Sequence, residues 1–320
     1  MHLTSLRRAL AATAVVALGA LVTAPAASAA STETTAEPVV GPYRYNFSTA
    51  FAYSLINPDA EAQGVNDYGC MPKAGTQPVI LVHGTFANQY DSFARMSPEL
   101  TWAGYCVYSF NYGTTADVPA AKLPRRYGLT GLSQNGDELA AFAQQVRTRT
   151  GATEVDMIGW SQGGTIITDV LKKHGGGGVD DVVTYGATHH GTTLSGLATL
   201  AEFFGVTGVA EGLAGQGPLD QRAGSPYIEQ LTADGDTVPG VDYTVVATCN
   251  DRITTPYRST FLEQGPGATV KNITLQDGCW LDQSSHLSMM YSSRSIDIAK
   301  RALHPEGRGT LRCLPNAPLI

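Results

Sequence analysis

Charge is scarce in this chain, and positive charge is scarcer than negative. Asp, Glu, Lys and Arg make up 15 % of its 320 residues, with 21 basic against 28 acidic side chains and a formal net charge of −7. A surface of that sign repels phosphate backbones, which argues against nucleic acid as a partner. No Gly-rich phosphate-cradling motif is present, and no His/Cys spacing matches a zinc site. Asp234-Gly235-Asp236 lacks the full spacing of a calcium loop, so neither a metal nor a cofactor is expected. Long apolar runs are missing as well, apart from residues 9–22. That run follows Arg7 and Arg8 and precedes Ala27-Ser28-Ala29, a small-x-small cleavage site. The pattern predicts a secretory signal peptide over 1–29, an uncleaved anchor being the alternative. Loss of Arg7 and Arg8 would take the formal charge from −7 to −9. The expected product is a secreted, acidic monomer with no transmembrane span.

Cysteine is sparse, but its use is informative. Cys70, Cys106, Cys249, Cys279 and Cys313 lie in a chain expected to be exported, where disulfides are the default. We expect Cys70–Cys106 and Cys249–Cys279, each closing a loop of a few dozen residues for about 3–4 kcal/mol in the chain-entropy model. Cys313 would then be left over in a Pro-rich tail, free or paired between molecules. Spacing alone does not exclude other connectivities.

What the sequence does contain is centred on residues 155–171. An apolar run, Val155-Asp156-Met157-Ile158, leads into Gly159-Trp160-Ser161-Gln162-Gly163, followed by helical Thr165-Ile166-Ile167-Thr168-Asp169-Val170-Leu171. Strand, sharp turn carrying a serine, then helix is the layout of a nucleophile elbow. Gly159 and Gly163 permit the close approach of strand and helix. Lys172, Lys173 and His174 complement the helix dipole at its end, and Gly175 stops it.

Around this centre, strands are expected at 78–82, 106–110, 182–185, 243–247 and 270–275. Helices are expected near 47–55, over 92–104, within 131–151 and over 295–303. Strands that alternate with helices and read as continuous apolar runs imply a mostly parallel sheet covered on both faces. The plan comprises a leader and arm over 30–64, a catalytic α/β domain over 65–304 and a tail over 305–320. Residues 193–241 break the rhythm as a cap or lid insertion.

Serine needs a base, and the base needs an orienting acid. In this architecture the order is Ser, then Asp or Glu, then His. His286 follows the last strand and is the candidate general base. Asp251, just past the strand before it, is the candidate acid, with Asp282 as competitor. The backbone N–H groups of Gln162 and Thr85 are the candidate oxyanion hole, to which the Thr85 hydroxyl could add a third bond. His83 is read as a brace for that turn, His189 and His190 as loop residues near the site, and His304 as surface decoration.

Val82-His83-Gly84-Thr85, Gly159-Trp160-Ser161-Gln162-Gly163, Asn250-Asp251-Arg252-Ile253-Thr254-Thr255-Pro256 and Ser285-His286-Leu287, in that order, resemble the motifs of secreted class 2 bacterial lipases, especially actinobacterial ones. The resemblance covers roughly residues 65–303, and the cysteine layout is similar to that of fungal lipases of the B type. It implies an α/β-hydrolase fold and cofactor-free hydrolysis of carboxylic esters or triacylglycerols, with an ester or lipid substrate met at an oil–water interface. Acyltransferase, thioesterase and polyester depolymerase share the same three groups. A catalytically silent, lipid-binding version of the fold is the alternative outside enzymes.

Overall fold

The computed structural model describes residues 38–320 apart from 58, 125, 211, 305, 307 and 308. The expected signal peptide, and the leader as far as residue 37, lie outside the described residues. The arm opens with β1 (Val39–Val40), α1 (Phe47–Ile56) and β2 (Ala60–Glu61). β1 and β2 pair in parallel, and Asn46 caps α1 by accepting the Thr49 N–H at 3.0 Å.

The first half of the sheet region runs β3 (Val79–Val82), α2 (Gln89–Phe93), α3 (Met96–Trp102), β4 (Val107–Ser109), α4 (Leu132–Thr150), β5 (Val155–Trp160) and α5 (Gln162–His174). The second half runs β6 (Val179–Tyr185), α6 (Leu194–Phe203), α7 (Gln216–Asp220), α8 (Pro226–Thr232), β7 (Asp242–Ala247), β8 (Thr269–Thr274) and α9 (Ser293–Ala302). Six parallel strands form one sheet in the order β4-β3-β5-β6-β7-β8.

Strand periodicity divides the core between the two faces. Val79 and Leu81 of β3 pack with α1, α2, α3, α6 and α9, while Ile80 and Val82 pack with α4 and α5. Every residue of β3 and of β5 is buried, as expected of central strands covered on both sides. The fold is the α/β arrangement that the sequence predicts.

Residues 92–104 differ from the single helix expected there. Asn88 caps α2 in a capping box with Asp91, and the chain then restarts as α3. Pro98 explains the break. Inside one continuous helix its ring would meet the carbonyl of Ala94; in the first turn of α3 its missing N–H removes no bond.

One expected disulfide forms and the other does not. Cys70 pairs with Cys106, but Cys279 pairs with Cys313, and Cys249 is a free, exposed thiol. The reason is the path of the tail. Asn316 returns to bridge Asp282 just beyond β8, which brings the Cα atoms of Cys279 and Cys313 to 5.4 Å. The Cys249 loop is tied to the β8 end without a covalent link. The Gln276 carboxamide accepts the Cys249 N–H at 3.1 Å and donates to Thr248 Oγ1 at 3.0 Å and to the Asp282 carbonyl at 2.9 Å.

Candidate active site

The candidate residues lie beyond the carboxyl ends of the strands, where parallel α/β sheets offer a crevice. Ser161 follows β5 with φ 55° and ψ −125°, a backbone region that non-glycine residues avoid. Close neighbours force this geometry. A Cβ on Gly163 would lie 2.1 Å from the Val82 carbonyl oxygen, and one on Gly84 would lie 3.0 Å from Ser161 Cβ. The β3 turn therefore presses directly on the serine. The Ser161 N–H donates to the Tyr185 carbonyl at 2.9 Å, while its hydroxyl is buried without a hydrogen-bond partner.

His286 is fully buried. Its Nδ1 lies 2.8 Å from Asp251 Oδ2, so a carboxylate acceptor places the proton on Nδ1 and leaves Nε2 with a lone pair. Nε2 is buried and unpartnered, like the Ser161 hydroxyl. Trp160 links the two residues: it precedes Ser161 in the chain, and its indole N–H donates to the His286 carbonyl at 3.1 Å. Asp251 Oδ1 accepts the N–H groups of Ile253 and Thr254, both at 2.8 Å. Gly186, at the end of β6, leaves room for this pair; a Cβ there would stand 3.1 Å from both Asp251 Oδ2 and His286 Nδ1. Asp282, the competing acid, turns away and accepts bonds from the Ser284 N–H at 3.0 Å and the Ser292 hydroxyl at 2.5 Å.

Gln162 opens α5, so its N–H has no partner inside the helix. Thr85 lies in the turn after β3. Its hydroxyl oxygen accepts from Gln162 Nε2 at 3.0 Å and from Gln221 Nε2 at 2.7 Å. Both lone pairs are then occupied, which leaves the O–H free to donate. Gln162 Nε2 also bonds the Gly128 carbonyl, and its Oε1 accepts from Asn135.

Four other histidines, His83, His189, His190 and His304, have polar partners. His83 donates from Nδ1 to the Gly84 carbonyl at 2.9 Å and stacks on Tyr112 with ring centroids 4.2 Å apart. Burial holds its pKa down at about 4. His189 is buried between Thr168 and Thr184, and burial holds it at about 3. Its neighbour His190 faces the other way and pairs with Asp236 at 2.9 Å, a bond that raises its pKa. His304 meets the Lys73 ammonium at 3.0 Å. Among the described residues, Asp156, Asp180 and Asp181 form the one acidic group compact enough to consider for a metal. Asp156 and Asp181 lie on β5 and β6, in the amino-terminal half of those strands and away from Ser161. Burial, reinforced by neighbouring carboxylates, pushes Asp156 up to about 8 and Asp181 up to about 7.

Three supporting residues escaped sequence reasoning: Gln221, Gln276 and Asn316. Each is a lone amide reaching across a long sequence separation, and no local pattern marks such a residue.

The family model described as Lipase (class 2) matches residues 76–264. A triacylglycerol lipase of Pseudarthrobacter phenanthrenivorans is 34 % identical over 37 % of this chain and 35 % of its own length. One from Burkholderia plantarii is 33 % identical over 37 % of this chain and 31 % of its own length. The chain thus spans about a third of the length of these curated relatives. Among solved structures, Aspergillus fumigatus lipase B superposes with a TM-score of 0.61 at 22 % identity, covering 80 % of this chain and 60 % of that one; this likeness speaks to the fold.

Proposed function

Because the chain belongs to the class 2 lipase family, we propose that it is a secreted serine hydrolase of carboxylic esters, with triacylglycerols among its substrates. The observation that carries this reading is the Asp251–His286 pair with an open Nε2, beside a serine held in a strained turn with an equally open hydroxyl. In the proposed route, Ser161 Oγ attacks the ester carbonyl as His286 Nε2 takes its proton. Asp251 stabilises the imidazolium that forms. The N–H groups of Gln162 and Thr85 and the Thr85 hydroxyl receive the negative charge of the tetrahedral oxygen. Collapse expels the alcohol, which takes the proton from His286. Water activated by the same imidazole then hydrolyses the acyl-serine, releasing the fatty acid and restoring Ser161.

The insertion over 193–241 is proposed to form the acyl-binding wall. The insertion itself holds a cavity of about 540 Å³ lined chiefly by apolar side chains, including Leu194, Ala198, Ala201, Val206 and Val209, which suits an acyl chain. Export is proposed from the sequence signal at 1–29. No helix among the described residues is long and apolar enough to cross a membrane.

Ser161→Ala should lower hydrolysis of p-nitrophenyl acyl esters by roughly 10⁴–10⁶-fold and abolish fluorophosphonate labelling while the protein stays folded. Turnover retained by that variant would remove Ser161 from the role. An acyl series from acetate to oleate, with and without emulsified triglyceride, tests the substrate class. A rate jump at the oil surface is expected, and its absence would favour a hydrolase of soluble esters.

A further inference from the structure

We propose that the tail from Cys313 to Ile320 is a strap that holds the general base in register, with Asn316 as the positioning residue. This rests on the assignment of His286 as base.

Residues 275–287 follow β8 without a regular element, so no backbone ladder fixes the imidazole. His286 itself makes two bonds: its Nδ1 donates to Asp251, and its carbonyl accepts the Trp160 indole N–H. Its orientation therefore depends on how the loop is clamped on each side.

The tail supplies that clamp. The Asn316 carbonyl accepts the Gln283 N–H at 3.0 Å. Its carboxamide donates to Ser284 Oγ at 2.8 Å and to the Ser288 carbonyl at 2.9 Å. The Leu319 N–H donates to Ser285 Oγ at 2.8 Å. Three residues immediately before His286 and one shortly after it are thus held by two residues of the tail. The Cys279–Cys313 disulfide roots the strap three residues before Asn316. At its far end, Pro318 and Ile320 line a cavity of about 430 Å³ together with Asn250, Asp251 and Arg252 of the acid loop. One short segment therefore braces the loop of the base and borders the same cavity as the loop of its acid. A position error of about 1 Å at a reacting group can cost about a hundredfold in rate, so a polar clamp of this kind bears on catalysis.

The test uses the full chain carrying Asn316→Ala and, separately, deletion of Pro318–Ile320. The alanine keeps the backbone carbonyl bond to Gln283 and removes the two carboxamide bonds. The deletion removes the Leu319 bond and leaves Asn316. We expect kcat on a p-nitrophenyl ester to fall about ten- to a hundredfold for Asn316→Ala and less for the deletion. KM should stay within about twofold, because substrate binding is untouched. Fluorophosphonate labelling of Ser161 should slow in parallel, and the downfield His286 Nδ1 proton should broaden through faster exchange, while circular dichroism stays near wild type and the melting temperature falls by only a few degrees, leaving the protein folded at the assay temperature. Wild-type kcat and labelling in both variants would overturn the strap, as would a loss of activity fully accounted for by unfolded protein. His286→Ala separates the two readings. If that variant is inactive and the tail variants are not, only the strap fails; if it keeps wild-type turnover, the assignment of the base fails.

Discussion

Ser161 and His286, the proposed nucleophile and base, are held by opposite means. The serine is fixed by exclusion. Val82, Gly84, Gly159 and Gly163 leave its backbone a single conformation, and a methyl group added at Gly163 would collide with a main-chain oxygen at 2.1 Å. The histidine is fixed by addition. Its loop hangs from many separate polar bonds given by Gln276, Asp282, Thr248 and Asn316. A site built by exclusion fails all at once, whereas one built by addition loosens by degrees.

The sharpest way to break this contrast is Gly163→Ala. Neither the Val82 carbonyl nor the strand behind it can retreat, so overpacking and backbone strain should cost about 4 kcal/mol or more, read as a large fall in the urea midpoint or loss of soluble protein. Near-native stability would show that the elbow yields and that the contrast is false. Thr85→Val comes next. It keeps the backbone N–H and shape but removes the hydroxyl, and kcat should fall about 10²–10³-fold if that hydroxyl donates to the oxyanion. An unchanged kcat would confine the hydroxyl to accepting from Gln162 and Gln221.

On the histidine side, Gln276→Ala should cost about 1–3 kcal/mol in denaturant unfolding, since it strands a few partly solvated groups. A loss as large as that of Gly163→Ala would erase the distinction between the two loops. The smallest effect per step is a slope with pH. Burial holds folded His83 at about 4 against its ordinary value of 6.5, so the unfolded chain binds a proton first as pH falls. Its contribution is complete above 6.5 and drains away toward 4 at up to about 1.4 kcal/mol per pH unit. The stability gap between wild type and His83→Asn should therefore shrink across that window; a constant gap would mean His83 is not held neutral.

The same contrast explains what could be read from the sequence. The elbow was legible because steric exclusion writes itself locally: Gly159, Ser161 and Gly163 must be near neighbours in the chain. The sheet was legible because β3 is an unbroken apolar run and β5 is one interrupted only by Asp156. Asp251 and His286 were singled out by chain order relative to the strands, and their side chains lie 2.8 Å apart. The second disulfide was misread because its partner depends on the returning tail, and a Pro-rich segment carries no period from which its path could be inferred. Gln221, Gln276 and Asn316 act over 136, 28 and 32 residues of sequence separation, where local pattern has no reach. The division of residues 92–104 was legible in principle from Pro98.

The thiol left outside both cystines offers a handle. Cys249 is exposed and stands two residues before Asp251. A maleimide fluorophore should attach at this one position without any engineered residue, and its emission would then report how the acid-bearing segment shifts as substrate arrives.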